Sequence, residues 1–545
     1  MKKTAKKLLV LLLACVIAAS LAACGVGTPA STPPASAPVT TPASTPPETT
    51  EPTGNPSPSP TATAPVSARD TLNIAVSLDS GTLDPLAVSG AGGFLNVLRT
   101  YMEPLLDNKP DGTRIWILAT GIDRVSDIEY TMHLRQGVTF SNGDPMTADD
   151  VMFTMEKNHE SPQFSLNVKA VDFDKTKKID DYTIDLWYTS YNAAQEVGFS
   201  QMPILDAESY DPATASLKPI GTGPYVVTDY VVNSHVTVQA RDDYWGAPPP
   251  IKTINFITLN EDSQRVNALE TGDVDMANIP IKDVDYVKSL GNYDVISTNA
   301  GSPQTAFFNM TPGSVLGTPE ARQAICYAID RQAVVDVVYS GQSSVLNWPI
   351  SQTVIDYEDR FGNLTDNYVT GYDPVKAKTL AEQAGLIGQT VTIITNGASD
   401  NATTAEIIQG NLQDIGINAK ITNYDQASYF SILMAPPAFD IAIFQPSAPS
   451  VMAADILAMY PTFIPLGWTG PEHDQYIALG QQALATYDAA ARGDVLYQML
   501  QIFEAQIPWY GICELPAMYA SATSLQNVQY YLGGNIDWQS AYFTA

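Results

Sequence analysis

Apolar and polar positions follow three regimes along the chain. Residues 8–19 are almost all apolar, residues 25–68 show no apolar periodicity, and from residue 69 onward apolar positions recur with strand and helix spacings. Leu72, Ile74, Val76 and Leu78 alternate with smaller or polar neighbours, which predicts a half-buried strand turned at Ser80-Gly81. Tyr130, Met132 and Leu134 alternate with Thr131, His133 and Arg135 as another strand, followed by turns at Gln136-Gly137 and "SNGDP". Thr147, three residues before Asp150, forms an N-cap box and predicts a helix over 151–157. A helix over 262–270 ends at Gly272, and "DVDMANI" resumes extended chain.

"TPEARQAICYAIDRQAVVDVVYSG" reads as one helix. Thr318 caps it, Pro319 fits the first helical position and Glu320 complements the dipole. Ala321, Ala324, Ile325, Ala328 and Ile329 form its apolar face, and Gly341 supplies the stop. "DPVKAKTLAEQAG" predicts a second capped helix, and "TTAEIIQGNLQDIGINAKI" a helix, a turn at Gly416 and a strand. Strands and helices alternate irregularly, which argues for an α/β or α+β protein and against a repeat array.

The first regime, preceded by Lys2, Lys3, Lys6 and Lys7, is an export signal. Its 12 apolar residues are too few for a membrane helix, which needs about 20. Leu21-Ala22-Ala23-Cys24 resembles the lipobox of bacterial lipoproteins, which implies removal of residues 1–23 and a lipid on Cys24. The tract behind it carries 12 prolines between residues 25 and 68 and too few large apolar groups to offset ordering entropy. Residues 24–68 are therefore read as a lipidated cysteine and a disordered spacer, with a reach between roughly 35 and 140 Å.

Charge narrows the partners. With 58 acidic and 28 basic residues, the net charge is −30. Such a chain has no electrostatic footprint for nucleic acid and is repelled by anionic headgroups, so its membrane contact is expected through the lipid anchor only. The stretch from 69 to 545 is too long for one core and predicts at least two lobes. In it only Cys326 and Cys513 remain, read as inert buried thiols, with their pairing left open.

The same residues carry no recognisable catalytic or metal signature. His133, His159, His235 and His473 lack the spacing of a zinc site. "DNKPDGTRIWIL" only superficially matches a calcium loop: Pro110 interrupts it and Leu118 stands where a glutamate is needed. No nucleophile elbow or P-loop appears. The expectation is a non-enzyme with no metal and no cofactor. Abundant Tyr and Trp suit burial of a small organic ligand, while Trp187 and Trp245 are read as structural.

"LDSGTLDP", "YMEPLL", "YTMHLRQGVTFSNGDPMTADDVMFTME", "PIGTGPYVV", "RDDYWGAPP", "ALETGDVD", "FFNM", "EARQAICYAIDR" and "NLQDIGINAKI" occur in that order. Together, over about 71–520, they resemble the family 5 extracellular solute-binding proteins, the peptide, opine and nickel binders of ABC importers. The resemblance implies a two-lobed α/β clam of the periplasmic-binding-protein kind (type II, cluster C-like) with two crossing hinge segments, near 305–309 and 508–512. The first lobe then takes residues 69–305 and 508–545, and the second takes 306–507. It also implies a monomer that closes on a small-molecule ligand and delivers it to ABC permease subunits at the outer face of the cell membrane (the periplasm, if there is an outer membrane).

By the same resemblance, ligand contacts fall on Leu78, Ser80, Gly81, Thr82, Tyr101, Gly223 and Tyr225 in the first lobe. Phe307 and Asn309 fall at one crossing, Trp509 and Tyr510 at the other, and Phe444, Gln445 and Ser447 after a second-lobe strand. One departure bears on specificity. Peptide binders of the family carry Trp-x-x-Asp-Tyr-like residues there, the aspartate pairing the peptide amine, whereas "FDIAIF" here runs into "QPSAPSVMAAD" with no acid before Asp455. An unpaired buried ammonium is costly. Oligopeptides, neutral polyols or sugars, and a cationic ligand held by another acid such as Asp79 or Asp440 therefore all stay open. A tethered sensory receptor or an extracellular hydrolase on the same lobes is the alternative.

Overall fold

The alternation in Thr71–Val76 lays down an interior strand of a ten-stranded sheet, pairing in parallel with Thr253–Thr258 and Met276–Ile279. The structure, a computed structural model, describes residues 65–88, 94–109, 112–363, 371–445 and 452–545. The export signal, Cys24, most of the spacer and Ser447 lie outside the described residues.

From edge to edge the strands are Asn418–Asn423, Thr390–Thr395, Ile441–Phe444, Tyr293–Phe308, Trp509–Ala522, Met276–Ile279, Thr71–Val76, Thr253–Thr258, His235–Ala240 and Tyr225–Val231. Tyr293–Phe308 and Trp509–Ala522, 16 and 14 residues long, run antiparallel from Tyr293 opposite Ala522 to Phe307 opposite Trp509. They are the members that reach both halves of the sheet. Met518–Ser521 pairs with Met276–Ile279 on one side, and Thr305–Phe308 pairs with Ile441–Phe444 on the other. The two segments read as crossings in the sequence fall at one end of this pair, with Asn309 and Pro508 just beyond its strands, and the pair is much longer than either segment. Its register shifts twice, between Asn299 and Pro303 and between Gln304 and Thr305.

A separate antiparallel sheet orders Ala119–Arg124, Glu129–Leu134, Thr183–Trp187 and Lys177–Asp180. The helix Ala148–Glu160 accompanies it. Thr147 accepts from Asp149 N, and Asp150 Oδ2 accepts from Thr147 N at 2.7 Å, so the cap box read in the sequence is present. The helix expected from Thr318 to Gly341 is instead two, Pro319–Ala328 and Arg331–Val338. Ile329 is extended, and Asp330 turns its carboxylate onto Ala333 N at 2.9 Å to cap the second helix. A short acidic side chain gains more as a cap than in a helix interior.

The apolar interior divides with the sheet. One cluster runs from Ala306 to Cys513, and three others draw on residues 72–293 and 518–543. Ala194 and Val197 cross this division, packing into the Ala306–Cys513 cluster. Cys326 and Cys513 are buried free thiols; burial pushes both up, Cys513 to about 12, so neither is a ready thiolate.

Gly511 faces Thr305 in the long pair, and a Cβ there would meet Trp348 O at 2.6 Å and Leu346 Cδ2 at 2.8 Å. Backbone on one side and a packed leucine on the other leave no room. Gly511→Ala is expected to lower stability by about 1–3 kcal/mol, read as a lower urea midpoint.

Candidate functional site

The crossing aromatics form a stack within the Ala306–Cys513 cluster. Phe307 lies on Trp509 with centroids 5.5 Å apart and planes 26° apart, and Tyr460, Phe444 and Phe503 close around them. Trp509 Nε1 donates to Pro349 O at 2.9 Å, and the Arg331 guanidinium sits 4.6 Å from the Tyr510 ring centre. Phe307, Trp509 and Tyr510 are fully buried. Asn309 is nearly so, its Oδ1 accepting from Thr311 N and its N–H donating to Asp440 O. Phe444 and Gln445 are half-buried.

In the other half of the sheet, the predicted contacts form a turn held by its own hydrogen bonds. Ser80 Oγ donates to Thr82 O, Thr82 Oγ1 accepts from Asp84 N, and Gly81, at φ 73°, donates its N–H to Asp79. Leu78 is exposed beside it. Tyr101 and Tyr225 are core residues whose hydroxyls donate to Leu83 O and Ile251 O. Gly223 lies so close under Tyr101 that a Cβ would meet its carbonyl carbon at 2.6 Å. These side chains are placed by packing as much as by any exposure to a ligand.

A cavity of about 600 Å³ involves none of those positions. One wall is Leu166, Asn167, Lys169, Ala194 and Gly198; the other is Asp455, Ala458, Met459, Thr462 and Phe463 with Ile477, Gln481 and Leu484. The second wall follows from helical spacing. Positions 455, 458, 459, 462 and 463 share one face of the helix Ala453–Phe463, and 477, 481 and 484 share one face of Pro471–Ala485. In the sequence such stripes look like core-facing helix, so only the three-dimensional arrangement reveals the space between them. Its volume lies within the range of pockets that hold small organic ligands.

The charges lining the cavity are a lysine on one wall and an aspartate on the other. Lys169 Nζ stands 3.4 Å from Asp455 Oδ1, and Asp455 sits in the first turn of its helix, where the dipole favours an anion. Beside the cavity, residues 191–197 are clasped to the end of Pro471–Ala485 and the turn after it. Ala193 N donates to Leu484 O at 2.8 Å, the Tyr191 and Tyr487 rings are 5.5 Å apart, and Arg124 covers Tyr487 at 4.3 Å.

Other ionisable groups are already engaged. Asp79 accepts from Gly81 N, Tyr230 OH and Asn233 N, and Asp440 accepts from Thr392 N while burial raises it. His133, His235 and His473 each stand beside a surface aspartate. Among the described residues no cluster of His, Cys, Asp or Glu is arranged to hold a metal ion, and no helix is long and apolar enough to cross a membrane. Glu103 is a strongly perturbed carboxylate. Burial raises it to about 7 despite hydrogen bonds from Tyr244 OH at 2.7 Å and Trp245 Nε1 at 3.1 Å.

Comparison with known proteins places this geometry. The family described as "Bacterial extracellular solute-binding proteins, family 5 Middle" matches residues 117–462. Heme-binding protein A of Haemophilus influenzae is 26% identical over 336 residues, covering 55% of this chain and 60% of that protein. The dipeptide-binding protein of Escherichia coli is 28% identical over 337 residues, covering 55% and 61%. These matches thus span about three fifths of the length of those relatives. The ABC transporter substrate binding protein CtaP of Listeria monocytogenes superposes with a TM-score of 0.77 at 21% identity, covering 88% of this chain and all of that one. That likeness is one of fold, the two-lobed α/β architecture of such binding proteins.

The buried Glu103 sets a pH dependence whose sign is fixed. Folded protein keeps a proton there that the unfolded chain releases between about pH 4.3 and 7. This group's contribution is therefore complete below that window, falls as pH rises through it by roughly 3 kcal/mol, and is flat above. Glu103→Gln is expected to flatten the difference in urea-unfolding stability between pH 5 and pH 7.5 relative to the unsubstituted chain.

Proposed function

The chain belongs to the bacterial extracellular solute-binding proteins of family 5, and we propose that it captures a small organic solute between its lobes and delivers it to an ABC permease. The observation that carries this reading is the 600 Å³ cavity, because one wall comes from residues 166–198, in the proposed first lobe, and the other from the helices Ala453–Phe463 and Pro471–Ala485, in the proposed second. In this reading the first lobe comprises residues 69–305 and 508–545, the second comprises 306–507, and the long pair is the hinge. Closure brings Tyr191 and Ala193 onto Leu484 and Tyr487 and shuts the solute away from water, which changes the surface offered to the permease. The work is binding; no group is required to react.

The ligand's own charge follows from the cavity. Asp455 is already matched by Lys169, so a ligand ammonium would exchange one ion pair for another and leave Lys169 unpaired. A solute with an uncharged polar end, whether a polyol, a sugar or a peptide recognised through its backbone, fits without that exchange. The test is calorimetry on short peptides and their N-acetylated forms with a panel of sugars, and small-angle scattering on every ligand that binds. Peptide pairs are expected to differ by less than tenfold, since a site built for the ammonium would discriminate by about tenfold or more. Any saturating ligand is expected to compact the protein and, at about 100 times its dissociation constant, to add roughly 2.7 kcal/mol of stability. A tight ligand without compaction overturns the closure mechanism. A tenfold preference for the free amine that Asp455→Asn removes overturns the assignment of charge.

We further read Cys24 as the lipid-bearing residue, with residues 25–68 as the tether that lets the lobes reach outward while staying near the permease. Cys24→Ala is expected to shift the protein from washed membranes to the soluble fraction with its fold unchanged; continued sedimentation overturns the tether.

A further inference from the structure

A second cavity, of about 180 Å³, shares no residue with the first. It lies against the end of the strand Thr71–Val76 and is lined by residues that include Asn96, Asn278, Tyr519 and Trp538. No lysine, arginine or acid lines it. Its polar groups have hydrogen-bonding capacity to spare. Asn96, 6% exposed, accepts from Ile536 N through Oδ1 at 2.9 Å, and its Nδ2 has no protein partner among the described residues. Asn278 donates through Nδ2 to Met518 O at 3.1 Å, and its Oδ1 has none among them either. Tyr519 is half-buried, and Trp538, 3% exposed, has no partner for Nε1 among the described residues.

Such groups are normally satisfied when buried. Here a donor and an acceptor from two carboxamides, fixed by their other bonds, border one apolar space. That space is the size of the voids that hold a single aromatic ring. We propose that this is a second binding pocket, for a neutral ring-sized molecule bearing a carboxamide, whose C=O and N–H answer Asn96 and Asn278 while its ring packs on Tyr519 and Trp538. A charged analogue has no counter-ion there and loses its hydration on entry.

The probe is benzamide, with benzoate and toluene as controls, titrated calorimetrically into the full chain while tryptophan emission is followed. Benzamide is expected to bind saturably with an emission change that Trp538→Phe abolishes, and benzoate to bind at least about tenfold more weakly. Toluene, lacking the amide, should lose about three- to tenfold, and Asn278→Ala should weaken benzamide by a similar factor. Tyr519→Phe, which keeps the packing ring, should leave benzamide affinity and the unfolding midpoint unchanged. Absence of saturable binding, equal binding of benzoate, or insensitivity to Asn278→Ala overturns the proposal. Crystals soaked with benzamide that hold only ordered water in the cavity overturn it as well.

Discussion

Two neighbouring strands have to carry the chain out of one half of the sheet and back again, and their backbone ladder is the constraint on which the rest depends. A single buried crossing would strand its N–H and C=O groups, whereas two antiparallel crossings satisfy each other. The ladder is not uniform. Its register slips beside Gln304, whose side chain is wholly buried, and there side chains take over where the backbone pattern falters. Gln304 Nε2 donates to Asn401 Oδ1 at 2.9 Å, while Thr404 Oγ1 and the Cys513 thiol both donate to its Oε1. A buried amide so fully satisfied fixes where the irregularity sits, and the helix bearing Asn401 and Thr404 is tied to the crossing at that point.

The acidic composition shapes the interior as well as the surface. The basic residues are few, and several arginines are spent as internal staples. Arg241 donates to Thr139 O and Phe140 O, Arg265 to Leu259 O, Asn260 O and Asn278 O, and Arg322 to Leu316 O and Gln506 O. Arg322 has so little anionic support that burial lowers it to about 10. Guanidinium suits this task because its planar fork reaches several carbonyls at once. Lys169 is consequently the cation left to the large cavity, and its partner is already in place.

Local chemistry made much of the fold legible. The alternation at Leu72 to Val76 and the box at Thr147 and Asp150 needed no distant contacts to be read correctly. The split at Asp330 was missed because the apolar face of Pro319–Ala328 continues in phase through Ile329, which hides a cap that only Ala333 N and Asn411 reveal. The cleft was harder to read. Resemblance pointed to rings such as Tyr101, Tyr225, Phe307 and Trp509, and in this structure packing and carbonyl partners hold them in the core. The cavity wall from Asp455 to Phe463 was passed over because a stripe facing a void and a stripe facing a core have the same spacing and the same polarity.

Ala194 and Val197 belong by sequence to one side of the molecule and by packing to the other. In the proposed opening motion they would be drawn out of that cluster into water, so opening exposes apolar surface and carries a positive heat-capacity change. Because apolar contact weakens on cooling, low temperature loosens this part of the clasp while leaving the Ala193–Leu484 backbone bond largely intact. In that motion temperature biases the balance between open and closed forms through these two small side chains, on top of the bias that a bound solute supplies.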